Sequence, residues 1–224
     1  MSFRIPDSLS LRRMPRGLAA LLLAAVLAVP VPARADVAET VLPAACTRDC
    51  AAPWGETLGG STTTPAYSNC SAACFVPLPN REQGIFTGIR WQCVEYARRW
   101  WLLNRGVFFG DVDVAADLWL KIPAVTRASD GSTQPLENHD NGDSAPPQVG
   151  DLLVYGREYL RTGHLAVVVA VDAGAGRIDV AEQNFLNRPW PAADHARSLD
   201  LLEHKGRWWV LDPYLLGWKR IAGE

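Results

Sequence analysis

Residues 91–101 read WQCVEYARRWW, and the fold turns on how this stretch is built. Val94, Ala97 and Trp101, with Trp100 and Leu102 beside them, recur at helical spacing, which predicts a helix over about residues 92–105. Gly106 supplies a stop. Glu95, Arg98 and Arg99 are expected on the wetter side of that helix. Cys93 falls at its start, where unpaired backbone N–H groups and the helix dipole favour a thiolate over a thiol.

Downstream, a second, shorter helix is expected from about Val114 to Leu120, ended by Pro123. Residues 127–147, RASDGSTQPLENHDNGDSAPP, read as a polar loop, either a mobile rim or a substrate-facing flap. Strand signals then dominate: VGDLLVYG with a buried run at Leu152 to Tyr155, HLAVVVAV, RIDVAEQNF, RWWVLDP and a closing LGWKRI. Gly174 and Gly176 in DAGAG suit a turn, so the second and third of these strands should form an antiparallel hairpin. The expected class is α+β, with the helix that carries Cys93 packed on an antiparallel β-sheet.

The hairpin matters because it brings polar residues together. With the turn centred on Ala173, His164 lies opposite Glu182, and with the turn at Gly174 it lies opposite Asn184. In both registers the three side chains share one face, and a one-residue slip would separate them. A thiol, an imidazole and an orienting carboxylate or amide are the parts a cysteine hydrolase needs to attack an amide carbon. Gln92 could offer its side-chain amide to the oxyanion beside the Cys93 backbone N–H. The other histidines, His139, His195 and His204, sit in polar connections and read as surface groups. H-E-x-x-H and G-x-S-x-G are both missing, so neither a metal centre nor a cofactor is expected, nor a serine nucleophile elbow. Trp54 and Trp190 could line a groove, with core or loop-anchor roles as the plainer reading.

Upstream, Arg4, Arg12, Arg13 and Arg16 precede an apolar stretch from Gly17 to Val29, and Ala33-Arg34-Ala35 matches a cleavage site. Residues 1–35 are therefore expected to be an export signal, too short in its apolar part to span a bilayer comfortably. The expected destination is the periplasm or the exterior, with no membrane attachment after cleavage. Without the leader, 17 basic residues face 23 acidic ones, which gives nucleic acid no broad electrostatic footing.

Residues 36–80 are rich in Ala, Thr, Ser, Pro and Gly and read as an N-terminal extension, with the main domain over residues 81–224. Cys46, Cys50, Cys70 and Cys74 fall inside the extension, and Cys93 stands apart. In an oxidising compartment four cysteines can pair and leave the fifth free. The nested connectivity, Cys46 with Cys74 and Cys50 with Cys70, is favoured, with a four-thiolate zinc site as the rival.

The motifs W-Q-C-V-E-Y-A-R-R and A-E-Q-N, followed by LGW, make residues 80–220 resemble the CHAP family, the cysteine- and histidine-dependent amidohydrolases and peptidases. Within it the run is similar to the amidase domain of bacterial glutathionylspermidine synthetase/amidase. The resemblance implies a papain-like fold with Cys93 as nucleophile, His164 as general base and then acid, and Glu182 orienting the imidazole. It further implies Gln92 in the oxyanion hole and Asn184 as a neighbouring polar contact. An exported member of this family would meet the amide-rich cell wall, so a peptidoglycan peptide is the expected substrate. Glutathionylspermidine-like amide hydrolysis and a secreted binding module with the same fold are the alternatives.

Overall fold

In the computed structural model, which describes residues 41–223, the chain starts with a cysteine-rich lobe. The expected export signal lies outside the described residues. A 3-10 turn, Ala44–Cys46, leads into the hairpin of β1 (Thr57–Ser61) and β2 (Thr64–Tyr67). A second hairpin joins β3 (Pro79–Glu82) to β4 (Ile85–Ile89). The disulfides are nested, Cys46 with Cys74 and Cys50 with Cys70, so these sulfurs are not available as zinc thiolates. Cys93 is the free cysteine of the described residues.

Helix α1 spans Cys93–Arg105. Gln92 is its extended N-cap, Glu95 sits in the first turn where a negative charge suits the dipole, and Gly106 ends it in the left-handed conformation. The Gly106 N–H reaches back to the Leu102 carbonyl, satisfying a C-terminal acceptor. Ala97, Trp100, Trp101 and Leu102 are buried as the periodicity predicted, Val94 is partly buried, and Tyr96 is buried as well. Each large apolar side chain removed from water in this way contributes roughly 1.5–3 kcal/mol.

The charged residues of α1 correct the expectation of a wet face: Glu95, Arg98 and Arg99 are 0 %, 1 % and 3 % exposed. Strands β3 and β4 and the lobe cover that face. Gly88 in β4 makes the close approach possible, because a Cβ there would stand 2.9 Å from that of Glu95. The three charges survive burial because each is paired. Arg99 forms a fork with Glu95 at 2.6 and 3.1 Å, and Glu95 also accepts from Asn80, Thr87 and Gln183. Arg98 donates to the carbonyls of Thr87, Phe109 and Gly110.

After α1 come β5 (Val107–Phe109), a 3-10 turn at Ala115–Asp117 that runs into the short α2 (Leu118–Lys121), and β6 (Ala124–Arg127). β7 (Thr133–Asp140) follows, then β8 (Leu152–Tyr155), β9 (His164–Asp172), β10 (Arg177–Ala181), β11 (Arg197–His204), β12 (Arg207–Val210) and β13 (Leu215–Ile221). Nine strands form one antiparallel sheet in the order β12-β11-β10-β9-β8-β13-β7-β6-β5. The architecture is thus α+β, with α1 on a large antiparallel sheet.

β7 replaces the expected polar loop. Its sequence TQPLENHD carries no apolar alternation, and its pairing with β13 and β6 supplies what its side chains do not. Nor do residues 127–147 line the cleft described below. β8 is buried on both faces: Leu152 and Val154 join the core beneath α1, while Leu153 and Tyr155 join a second core with Ala166, Val168, Ile178 and Trp218.

The β9–β10 hairpin contains one irregularity. Asp179 lies opposite Ala170, but Val180 lies opposite Val168, so Val169 is an extra residue in β9. Continued beyond Ala181, the shifted register sets position 182 against position 166, one diagonal step from His164 on the same face. Without the extra residue, Glu182 would point to the other side.

Candidate functional site

Three elements converge at one end of the sheet: the first residue of α1, the first residue of β9 and the segment just after β10. They carry Cys93, His164 and Glu182. His164 Nε2 meets Glu182 Oε2 at 2.8 Å, and both side chains are 2 % exposed. The Cys93 thiol and the His164 ring interact, and since Nε2 is on Glu182, Nδ1 is the nitrogen left for the sulfur. The row is sulfur, ring, carboxylate.

Its electrostatics favour a charged pair. Burial pushes the Cys93 thiol up, yet the imidazolium charge, its hydrogen bond and the backbone N–H groups of Leu165 and Val94 outweigh this and hold the pKa below the ordinary 9.0. Burial works against the His164 cation too, but the thiolate and Glu182 raise its pKa from 6.5 to about 9. For Glu182, burial opposes ionisation, and the contacts with His164 and Arg197 win, holding the carboxyl below its usual range. Both shifts favour the thiolate–imidazolium form over the neutral pair.

Arg197, on β11, is the part that sequence reading missed. Its Nε donates to Glu182 Oε1 at 2.5 Å and its Nη2 to Oε2 at 3.2 Å. The same guanidinium reaches Asp212 at 3.0 Å and the Tyr155 hydroxyl at 3.2 Å, and its carbon stands 3.9 Å from the centre of the Phe185 ring. Tyr155 donates in turn to Asp212 at 2.6 Å. Glu182 is thereby held on both oxygens. An alternation of Leu199 and Leu201 with polar neighbours was the available signal for β11.

Gln92 lies beside Cys93, half-buried. Its Oε1 accepts from Asn184 Nδ2 at 2.9 Å, and its Nε2 donates to Asn69 Oδ1 at 3.3 Å. Asn184 thus touches Gln92, while Glu182 is the residue on the imidazole. Asn184 also accepts from Asn69 and Asn187, each at 3.2 Å. Gln183 points the other way, to Glu95 and the Gln92 carbonyl.

Cys93, His164, Gln92 and Asn184 open on a cleft of about 640 Å³. One wall is Ala72, Ala73, Cys74 and Phe75 from the cysteine-rich lobe, and the other holds Tyr159 and Leu160. Phe75 and Leu160 are 57 % and 58 % exposed, giving the rim an apolar character. Asp111 and Asp113 are the charged carboxylates of the lining, and no Lys or Arg is part of it. Trp54 lies against Trp91 and the disulfides, and Trp190 packs on Gly59 and Tyr96, so neither forms this cleft. His139, expected at the surface, is instead half-buried and stacked on Trp218, bonded to Asp143. His195 bonds to Asp194 and His204 is exposed, both away from the cleft.

Residues 84–184 match the CHAP domain family, so the chain carries a CHAP domain, of the amidase and peptidase type that is typically cysteine-dependent. It is 29 % identical over 182 residues to the bifunctional glutathionylspermidine synthetase/amidase of Escherichia coli (strain K12), covering 75 % of this chain and 29 % of that protein. It is 30 % identical over 180 residues to trypanothione synthetase of Crithidia fasciculata, covering 76 % and 27 %. The chain spans under a third of the length of these relatives. The two disulfides suit an extracytoplasmic location, and no helix among the described residues is long and apolar enough to cross a membrane.

Proposed function

We propose that the protein is an exported cysteine amidase or endopeptidase that hydrolyses peptide or amide bonds of cell-wall peptidoglycan in the periplasm or outside the cell. The observation that carries the reading is the buried Cys93–His164–Glu182 row with its sulfur end at the cleft. In the reaction, the Cys93 thiolate attacks the amide carbon. The developing oxyanion meets the Cys93 backbone N–H, which as a first-turn amide has no partner inside the helix, and the Gln92 side-chain amide. The His164 imidazolium gives its proton to the departing amine, the C–N bond breaks, and a thioester remains on Cys93. Neutral His164 then takes a proton from water, whose oxygen attacks the thioester and releases the acid and the thiolate. Glu182 holds the ring and stabilises its cation throughout. The disulfides support the extracytoplasmic part of the reading, where peptidoglycan is the abundant amide polymer.

A second reading, hydrolysis of a glutathionylspermidine-like amide, is favoured by the names of the relatives and by Asp113, which suits a cationic amine; the other carboxylate of the lining, Asp111, is paired with Arg98 at 3.2 Å. Purified peptidoglycan and glutathionylspermidine are to be incubated separately with the protein, following newly freed amino groups and released spermidine. Wall cleavage supports the first reading, and spermidine release without wall cleavage replaces it with the second. Neither product, or equal turnover by Cys93→Ala, overturns both.

A further inference from the structure

We propose that Asn69, presented by the disulfide-stapled lobe, is a positioning residue for the oxyanion hole, acting through Gln92. The proposal rests on the assignment of Gln92 to that hole. Asn69 lies outside the CHAP match at residues 84–184, and nothing in the spacing of the sequence links it to Cys93.

A primary amide on a flexible side chain is a poor oxyanion donor unless it is held, because it can rotate away or turn its oxygen toward the developing negative charge. Gln92 is held at both ends. Asn184 Nδ2 occupies Gln92 Oε1, and Asn69 Oδ1, which carries no proton and can only accept, fixes the other end as nitrogen. One of the two Nε2 protons is used on Asn69, which leaves the second for substrate. Asn69 Oδ1 also accepts from the Trp91 backbone N–H at 3.5 Å, just ahead of Cys93.

Asn69 is itself fully enclosed and anchored. Its backbone N–H donates to Asn187 Oδ1 at 2.7 Å, and its Nδ2 donates to the carbonyls of Cys74 and Ser71 at 2.8 and 3.1 Å. Cys70 and Cys74 are the two ends of the loop it opens, and each is cross-linked to the 3-10 turn region, at Cys50 and Cys46. The staples thus restrict the loop that orients the nitrogen end of the amide. In an unstapled loop that order would have to be met from conformational entropy.

The test separates oxyanion positioning from general damage. With p-nitrophenyl acetate, the thiolate attacks the ester carbon, an oxyanion forms, and the C–O bond to p-nitrophenolate breaks, giving a burst. Alkylation by iodoacetamide also uses the thiolate but forms no oxyanion. Asn69→Ala is expected to slow the burst by about 10- to 100-fold while alkylation keeps the wild-type rate and pH profile. Because Asn69 acts through Gln92, the double variant N69A/Q92A is expected to be no slower than Q92A alone. Asn69→Ser is read in the same way if N69A does not fold. The proposal is overturned if burst and alkylation fall together, if the two substitutions multiply, or if the burst of N69A equals that of wild type. A wild-type protein that gives no burst overturns the hydrolase reading along with it, whereas a normal burst in both wild type and N69A overturns this proposal alone.

Discussion

Two buried ionic clusters flank the segment Glu182–Gln183, and they are built alike up to one atom. On one side, Glu95 is saturated by Arg99, Asn80, Thr87 and Gln183, and Arg98 by carbonyls and Asp111, so every group has a protein partner. On the other, Glu182 is saturated by Arg197 and His164, yet His164 presents its second nitrogen to a sulfur at the cleft. The closed cluster fixes a helix against two hairpins. The open one ends on a group that can exchange a proton with a reactant. Burial and charge pairing alone therefore do not mark a reactive site; an unfinished end at a cleft does.

The contrast can be broken most severely at the sulfur. Cys93→Ala is expected to abolish turnover, by about 10⁶-fold if the nucleophile is worth what it is in serine hydrolases, with the fold retained as a cooperative urea transition. Glu95→Ala is expected to do the opposite: it strands Arg99 in the interior and costs about 3–5 kcal/mol in urea unfolding. Protein that remains folded should still alkylate at Cys93 with the wild-type pH profile. Equal loss of thiolate reactivity in E95A and Glu182→Gln would erase the distinction between the clusters. Reducing the two disulfides should lower stability by about 2–5 kcal/mol, read as a shift of the same urea midpoint; an unshifted midpoint would show that the lobe adds nothing to the fold.

Smaller effects sharpen the open cluster. Glu182→Gln keeps the shape and loses the charge, so kcat is expected to fall by about 10- to 100-fold, with a lower alkaline pKa in the pH profile because His164 loses its counter-ion. In the wild type, activity needs the thiolate and the imidazolium together. It should rise below the ordinary thiol range and decline as pH climbs through about 9, where His164 loses its proton. Stability follows the same groups. His164 binds its proton more tightly folded than unfolded, so its contribution is full below 6.5 and is lost on passing about 9. Glu182 contributes above 4.5 and its share is lost as pH falls through its depressed value. A flat urea midpoint from pH 6 to 10 would contradict the ion pair.

The sequence made α1 and the apolar strands legible because apolar side chains at helical spacing or in short continuous runs mark burial: Ala97, Trp100, Trp101 and Leu102, then Leu152 to Tyr155 and Leu165 to Val168, all reach the core. It misplaced Glu95, Arg98 and Arg99, since a charge at helical spacing normally means solvent, and only partners remote in sequence, such as Asn80 and Gln183, reverse that. β7 was unreadable for a related reason: its ladder is completed by β13, at the far end of the chain, beside the neighbouring β6, and its own side chains carry no period. Cys93, His164, Glu182, Gln92 and Asn184 are brought to one locus, and the choice between Glu182 and Asn184 for the imidazole required the backbone. Asn69 and Arg197 are reached through tertiary contacts alone, the first in an aperiodic lobe and the second in a strand read as a connection.

The surplus residue Val169 assigns Glu182 to one cluster and its neighbour Gln183 to the other. Shortening that strand by a single position would exchange them, handing the imidazole an amide and leaving the guanidinium of Arg197 without its fork. In this hairpin the count of residues is therefore a more stringent requirement than their identity, and an excision there would be more damaging than any single replacement of an aliphatic side chain.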